Sequence, residues 1–404
     1  MNMLMKKVFQ SNLLDPIDSG FIIYDLDFLT NKMVDLKNAF PGHWLHTSAI
    51  KACPLPNILS FVHKKFHLGA EAASIEEVKL AIDCQIPAHL IIYDAPIKTM
   101  SELEFALKNN IHINADSFEE CDQIAEIIKF YPNARVGLRI NPAVGSGKIQ
   151  FTSVATKDSH FGVLLDGNEN KIRDYFLKFP WLNGIHVHIG SQGMSLETLA
   201  QGVGVVFNFA QTLPGLKYFD MGGGLPVAYR PSDVVYSFHD YAILLKKHIP
   251  QLFETKLIII TEFGRSLYAQ AAIAVSHVEF IKNPNYIACH FGADLFLRKI
   301  YKPLDWYHKL SVINSIGEEK KSPFKTYKIS GPLCFSGDVL EKEIEIPEVE
   351  KNDFLIYHDV GAYTLSMWSR HCSRAIPKVI GVLEDKCFIL KKRETREQLF
   401  QFWT

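Results

Sequence analysis

Four short runs carry residues whose types and order could do chemistry. Lys51 ends the run His46-Thr47-Ser48-Ala49-Ile50-Lys51. Downstream come His186-Val187-His188-Ile189-Gly190-Ser191-Gln192, then Asp220-Met221-Gly222-Gly223-Gly224, then Thr261-Glu262-Phe263-Gly264-Arg265. Each run closes an apolar segment of strand character. The Lys51 amine lies among Ala49, Ile50, Ala52 and Cys53; burial there is expected to lower its pKa and favour condensation with an aldehyde. Period-two alternation puts His186 and His188 on one face. His188, beside Gly190 and Ser191, is placed to stack on a flat ring, and Ser191 offers a hydroxyl to an anion. Successive glycines at 222–224 let backbone N–H groups converge on one anion without obstruction by Cβ atoms. A carboxylate such as Glu262 can bond a ring nitrogen and keep it protonated. Arg265 and the Gly264 backbone complete an anion clamp.

Each run alone has a plainer reading: a solvated lysine, a core histidine, a flexible turn, a surface ion pair. Two later groups are similar. Gly331-Pro332-Leu333-Cys334-Phe335-Ser336-Gly337-Asp338 is a glycine-bounded loop with one thiol, and Asp359-Val360-Gly361-Ala362-Tyr363 places a phenol after a small-residue turn. A buried inert cysteine and a structural tyrosine are the ordinary explanations. Gathered at one place, however, the amine, ring, cradle and acid are the set needed to hold pyridoxal phosphate.

The elements that must gather them are legible as strand–helix alternation. Apolar β-rich segments occur at Leu45–Ile50, Phe66–Ala70, Leu90–Tyr93, Ile111–Ala115, Val136–Ile140, Ile185–Ile189, Tyr218–Met221 and Leu257–Thr261. Stretches of helical spacing, such as 75–81 and 101–107, separate most of them. This repetition predicts an α/β fold, a parallel (β/α)8 barrel over residues 26–272, with an open doubly wound sheet as the rival. Barrel loops after the strand ends build the active site, and the glycine triplet follows the seventh strand, where such barrels often bind phosphate. Beyond residue 272 the segments Ala272–Phe280, Thr326–Ile329, Val339–Ile346, Phe354–Tyr357 and Val379–Leu383 are short and divided by turns such as Asn283-Pro284-Asn285 and Gly317–Pro323. They predict a mostly antiparallel β domain made of residues 1–25 and 273–404.

Bulk properties narrow the function classes. A formal net charge of -1 gives no electrostatic case for nucleic acid or an anionic membrane. No apolar run approaches the roughly 20 residues of a spanning helix. The opening Met1-Asn2-Met3-Leu4-Met5-Lys6-Lys7 lacks a secretory pattern. Scattered cysteines without metal spacing predict reduced thiols, a cytoplasmic location and no structural metal.

In their order, the motifs resemble the fold-type III pyridoxal-phosphate decarboxylases, the ornithine/diaminopimelate/arginine decarboxylase family, over nearly the whole chain. The resemblance implies an alanine-racemase-like barrel with a β domain, pyridoxal 5'-phosphate as cofactor, a small amino-acid substrate and a homodimer with shared active sites. It implies that Lys51 is the Schiff-base lysine and that Glu71, in Gly69-Ala70-Glu71, is the acid near it. His188 would stack on the cofactor ring. Ser191, Gly222, Gly223, Gly224, Gly264, Arg265 and Tyr363 would hold the phosphate, and Glu262 would pair with the ring nitrogen. Cys334 would cross a dimer interface and help protonate the decarboxylated carbon. Arg298 would contact substrate, with Tyr301, Phe335 and Asp338 lining the same region.

The chain also departs from the family pattern. Where an acid usually follows the loop cysteine and reads a distal amino group, this chain has Phe335. After Arg298 it reads Lys299-Ile300-Tyr301-Lys302-Pro303. These departures predict decarboxylation of an amino acid whose distal nitrogen is masked, such as a citryl-diamino acid in siderophore biosynthesis, with Arg298, Lys299 or Lys302 meeting extra carboxylates. The alternatives are a decarboxylase of free diaminopimelate, ornithine or lysine, and a non-catalytic regulatory homologue. A racemase on the same barrel fits less well, because Glu262 stands where such enzymes pair the ring nitrogen with arginine.

Overall fold

The computed structural model describes residues 2–282 and 285–404. Asn283 and Pro284 of the expected turn lie outside the described residues. The chain divides into two compact units. One comprises Lys32–Val227 and Val234–Leu267, the other Met1–Asn31, Ala228–Asp233 and Tyr268–Thr404.

The first unit is a closed barrel of eight parallel strands. Leu45–Ala49, Gly69–Ala72, Ile91–Tyr93, His112–Ala115, Val136–Asn141, Leu182–His186, Tyr218–Asp220 and Ile258–Phe263 pair in sequence order. Closure comes from the last strand pairing with the first, Leu45 opposite Ile260 and Ser48 opposite Phe263. The strands are buried along nearly their whole length. Such double-sided burial is why they read as continuous apolar segments rather than alternating ones.

The helices between them start where the sequence supplies caps. Ser74 accepts a hydrogen bond from the Glu77 N–H at the head of Ile75–Asp83, and Thr99 forms a capping box with Glu102 at the head of Met100–Lys108. Ser117, Ser195 and Ser237 do the same for Phe118–Ile127, Leu196–Ala210 and Phe238–His248. Each such cap is worth about 1 kcal/mol to its helix. Caps at the strand-to-helix turns fix where each loop ends, and so which residues crown the barrel.

Two barrel-strand starts differ by three residues from the sequence expectation. Phe66 does not begin a strand; it closes the helix Pro56–Phe66, which ends on His67 in the left-handed conformation. The sixth barrel strand runs Leu182–His186 instead of Ile185–Ile189. Asn183 explains the earlier start: its side chain accepts from the Val136 N–H at 3.2 Å and donates to the Ala134 carbonyl at 3.2 Å, sewing the strand to its neighbour.

The second unit holds a six-stranded sheet in the order Leu310–Ile313, Phe354–Tyr357, Ala272–His277, Gly20–Asp25, Lys378–Leu383, Lys386–Lys391. Only Gly20–Asp25 and Lys378–Leu383 run parallel in it. A smaller sheet contains Ile281–Lys282, Tyr286–Ala288, Phe324–Ser330 and Val339–Pro347. Phe21, Ile23, Val275, Ile356 and Ile380 of the six-stranded sheet share one core cluster with Met5 and Val8 of the helix Asn2–Gln10. Among the described residues no helix is long and apolar enough to cross a membrane.

Candidate active site

Lys51 sits in a short helical turn, Ile50–Ala52, immediately after the first barrel strand. Its side chain is 38% exposed, so the apolar burial expected from its neighbours is not what surrounds it. Ile50, Ala52 and Cys53 are buried, but the ammonium group leaves them and donates to Glu71 Oε1. Glu71, on the adjacent strand, is fully buried. Burial raises its pKa to about 8, with Glu262 and Asp94 adding to the rise and Lys51 opposing it.

Beyond this pair lies a buried chain of ionisable groups. His186 is fully buried between two carboxylates, with Nδ1 3.4 Å from Asp94 and Nε2 3.4 Å from Glu262. Asp94 in turn lies 3.6 Å from Arg139 Nη1, which is also 3.5 Å from Asp116. Burial pulls Asp94 toward neutrality, but His186 and Arg139 outweigh it and hold the carboxyl below the usual range. The same contest is decided the same way at Glu262, where burial is overcome by His186. Asp220 goes the other way: burial and the neighbouring Glu262 raise it well above an ordinary aspartate. Neither Glu262 oxygen makes an aligned hydrogen bond among the described residues. A buried, ionised carboxylate without a donor is costly unless a ligand supplies one.

The glycine triplet is shaped by backbone crowding. Gly222 and Gly224 have φ of +67° and +101°. A Cβ on Gly223 would fall on the Glu262 carbonyl oxygen, and one on Gly224 on that of Gly190. The Gly222 carbonyl accepts from the Glu262 N–H at 2.8 Å, and the Gly223 N–H donates to His188 Nδ1 at 3.3 Å. That bond requires an unprotonated Nδ1, and burial together with Arg139 pushes the His188 pKa down to about 3. A neutral, oriented imidazole results. Arg265, itself buried, donates from Nε to Ser191 Oγ at 3.2 Å. Gln192 spans the loop after the triplet, donating to the Val227 carbonyl at 2.7 Å and accepting from its N–H at 3.0 Å.

Lys51, Glu71, His188, Ser191, Gly222, Gly223, Gly224, Glu262, Gly264 and Arg265 therefore all lie in the barrel unit, on the loops and strand ends just described. Sequence reasoning missed Asp94, Asp116, Arg139 and Asp220 and gave His186 no role. The available signal was a charged residue at the end of an apolar strand, repeated at successive strands. His186, His188 and Glu262 bring ligand atoms within 4.8 Å of one another, a spacing a metal ion can also use. A metal ion would leave the glycine triplet and the Ser191–Arg265 pair without a purpose.

The remaining expected residues lie in the β unit. The Arg298 guanidinium lies 4.6 Å from the Trp306 ring centre and 4.7 Å from that of Tyr363. Tyr301, at the end of the helix Leu297–Tyr301, is exposed. Cys334 is exposed as well, so the buried-thiol reading does not hold. Phe335 packs edge-on against His371 at 5.8 Å. Asp338 is buried, and its two oxygens accept from the Ala293 and Leu333 N–H groups at 2.7 and 2.8 Å, anchoring the thiol loop. Lys299 is buried and paired with Glu341 at 2.7 Å, which removes it from the cations expected to meet extra substrate carboxylates.

Comparison with known proteins gives the family. Residues 26–269 match the family model described as pyridoxal-dependent decarboxylase, pyridoxal binding domain. Diaminopimelate decarboxylase of Helicobacter pylori is 32% identical over 398 residues, covering 94% of both chains. The Aquifex aeolicus diaminopimelate decarboxylase is 30% identical, covering 94% of this chain and 90% of its own. The crystal structure of the H. pylori enzyme complexed with L-lysine superposes with a TM-score of 0.86 at 30% identity, over 98% of each chain. A lysine/ornithine decarboxylase of Vibrio vulnificus shares the fold, with a TM-score of 0.75 at 20% identity.

Proposed function

From the premise that this chain belongs to the pyridoxal-dependent decarboxylases, and so is a carboxy-lyase using pyridoxal 5'-phosphate on an amino acid, we propose that its substrate is a free diamino acid of the diaminopimelate type. The observation that carries this reading is the 32% identity to a diaminopimelate decarboxylase, which extends over both units instead of the barrel alone. The preference for a masked substrate, drawn from Phe335, yields to it.

The residues present fit the cofactor. Glu262 is a buried carboxylate held below its ordinary pKa with neither oxygen in an aligned hydrogen bond, which fits a protonated ring nitrogen as its partner. Gly224, Ser191 and Arg265 would hold the phosphate, with the Gly222 and Gly223 N–H groups bonded to Asp220 and His188, and Lys51 would be the amine to join the aldehyde. Bound there, the cofactor supplies an electron sink for the pair released when the α-carboxylate leaves. The protein does the rest. Lys51 takes and returns the attachment point, with Glu71 accepting or giving a proton at Nζ; a carboxyl titrating near 8 suits that exchange. His188 presents a neutral face to the ring, fixed by the Gly223 N–H. His186, braced by Asp94 and Arg139, aims Glu262. Orienting the substrate's scissile bond would be an effect supplied by binding energy. Arg298 as substrate contact, Tyr363 on the phosphate and Cys334 as proton donor are the parts assigned to the β unit. The reading includes a cytoplasmic homodimer, checked by sedimentation of the cofactor-loaded protein.

A masked distal nitrogen is the second reading, favoured by the Phe335–His371 aromatic pair where a carboxylate would read an ammonium. The deciding experiment measures CO2 release and product mass on diaminopimelate, ornithine, lysine and their citryl amides. Fastest turnover of diaminopimelate is expected. Faster turnover of the amides gives the second reading. Cofactor bound without release of CO2 from any of them leaves the regulatory homologue.

A further inference from the structure

The β unit contains a cluster that the decarboxylase reading does not use. His277 is the last residue of the strand Ala272–His277, and Glu279 follows two positions later. His290 lies two positions past the strand Tyr286–Ala288. The three side chains meet: Glu279 Oε1 is 3.1 Å from His277 Nδ1 and 3.0 Å from His290 Nε2. One ligand atom from each lies within 4.8 Å of the other two.

We propose that His277, Glu279 and His290 bind a single transition-metal dication of the zinc class, with water completing the coordination. Two imidazoles and one carboxylate are a donor set that zinc accepts in open, three-ligand sites. Imidazole nitrogens select such metals over magnesium or calcium, which prefer oxygen. Metal–ligand bonds of about 2.0–2.1 Å place tetrahedral neighbours about 3.3 Å apart, so the observed separations need only small adjustments. Exposure is graded accordingly: the side chains of both histidines are 23% exposed and that of Glu279 46%, leaving an entry path.

Second partners orient the ligands, as metal sites require. Ser19 Oγ lies 3.2 Å from His290 Nδ1, which turns Nε2 toward Glu279. The His290 N–H donates to Ser276 Oγ at 2.8 Å, and its carbonyl accepts from Arg374 Nη2 at 2.7 Å. The His277 ring packs edge-on against Phe354 at 5.2 Å. Arg374 also donates to Asp294 at 2.8 Å, so the residues around His290 are already tied to the segment leading to Arg298. A bound metal would clip that segment to the end of the strand Ala272–His277. Its effect would be on the order of this region, not on the bond-breaking step.

The test uses metal-stripped, cofactor-loaded full-length protein, so that the His186–His188–Glu262 group is occupied by its own ligand. Zinc is titrated calorimetrically and cobalt by visible absorbance, in the native protein and in Glu279→Gln and His290→Gln. One zinc per chain, tetrahedral-type cobalt bands and affinity weakened roughly tenfold or more in both variants are expected. A native protein that binds no zinc overturns the proposal. So does a Glu279→Gln variant, whose exposed side chain leaves folding intact by circular dichroism, binding zinc as tightly as the native protein.

Discussion

At the barrel mouth the important side chains are mostly buried and held by one another, whereas in the loop Gly331–Asp338 a buried Asp338 anchors the backbone and Cys334 is exposed. Glu262, His186, Asp94 and Arg139 form a continuous buried chain, and the glycine triplet is locked against the neighbouring backbone. In the loop, Asp338 accepts from the Ala293 and Leu333 N–H groups while Cys334 is exposed and Phe335 packs on the His371 ring. The first arrangement suits chemistry that never changes, because altering any member strands a buried charge. The second suits recognition, because the loop's reading residues can be exchanged without disturbing its support. Chemistry and specificity are thus expected to be separable by mutation.

The largest effect is expected at Lys51. Lys51→Ala should lower kcat/KM by on the order of 10³-fold or more, equally for all substrates. Borohydride trapping followed by peptide mapping should lose its label at that position. Retained labelling would place the amine elsewhere. Glu262→Gln should keep the cofactor bound but cost roughly 10²-fold in kcat, as the ring nitrogen loses its counter-charge in a buried site. A change confined to KM would mean that Glu262 only helps binding. In contrast, Phe335→Glu should leave cofactor affinity alone and stability within about 0.5 kcal/mol. Its expected signature is a rise of roughly tenfold in the preference for free diamino acids over their citryl amides. An equal loss on both would merge the two regions that the comparison separates.

The smallest effect is on stability against pH. Burial lowers His46 to about 4, and His112 and His188 to about 3, all in the barrel. Each is neutral when folded and gains a proton on unfolding below its ordinary 6.5. Their contribution is present above 6.5 and is lost as pH falls from there toward 4 and 3. Glu71, raised to about 8, has the opposite sign: its contribution is present below 4.5 and is lost as pH rises through 8. In the β unit, burial lowers His290 and His358. Hydrogen exchange across pH should show the cofactor-free barrel losing protection on both limbs, with Glu71→Gln removing the alkaline one. A limb unchanged by that substitution would assign it to another group.

Much of the barrel was legible because most strand–helix repeats carry their own apolar segment and cap, which are local signals. The sixth strand was misplaced because its start depends on Asn183 bonding to a neighbouring strand, which is invisible along the chain. Lys51 shows the same limit: apolar neighbours in sequence predicted burial, but the side chain leaves them for Glu71. Asp94, Asp116, Arg139 and His186 each look like an ordinary polar residue near a strand end. Only closure of the sheet makes them one network. The glycine triplet was expected as a cradle from its composition; what the structure adds, backbone oxygens of Glu262 and Gly190 leaving no room for a Cβ, is a property of packing. Substrate preference was the least legible, since a single exchange at Phe335 is easily read two ways.

Gln192 carries a further consequence. Its amide mimics a peptide unit, bonding both the N–H and the carbonyl of Val227. The Ser191 turn and the stretch beyond the glycines therefore behave as one mechanical part, spaced before any phosphate arrives. A ligand entering such a site loses little to the ordering of its receptor. On the proposed reading, that rigidity would retain the cofactor through many turnovers.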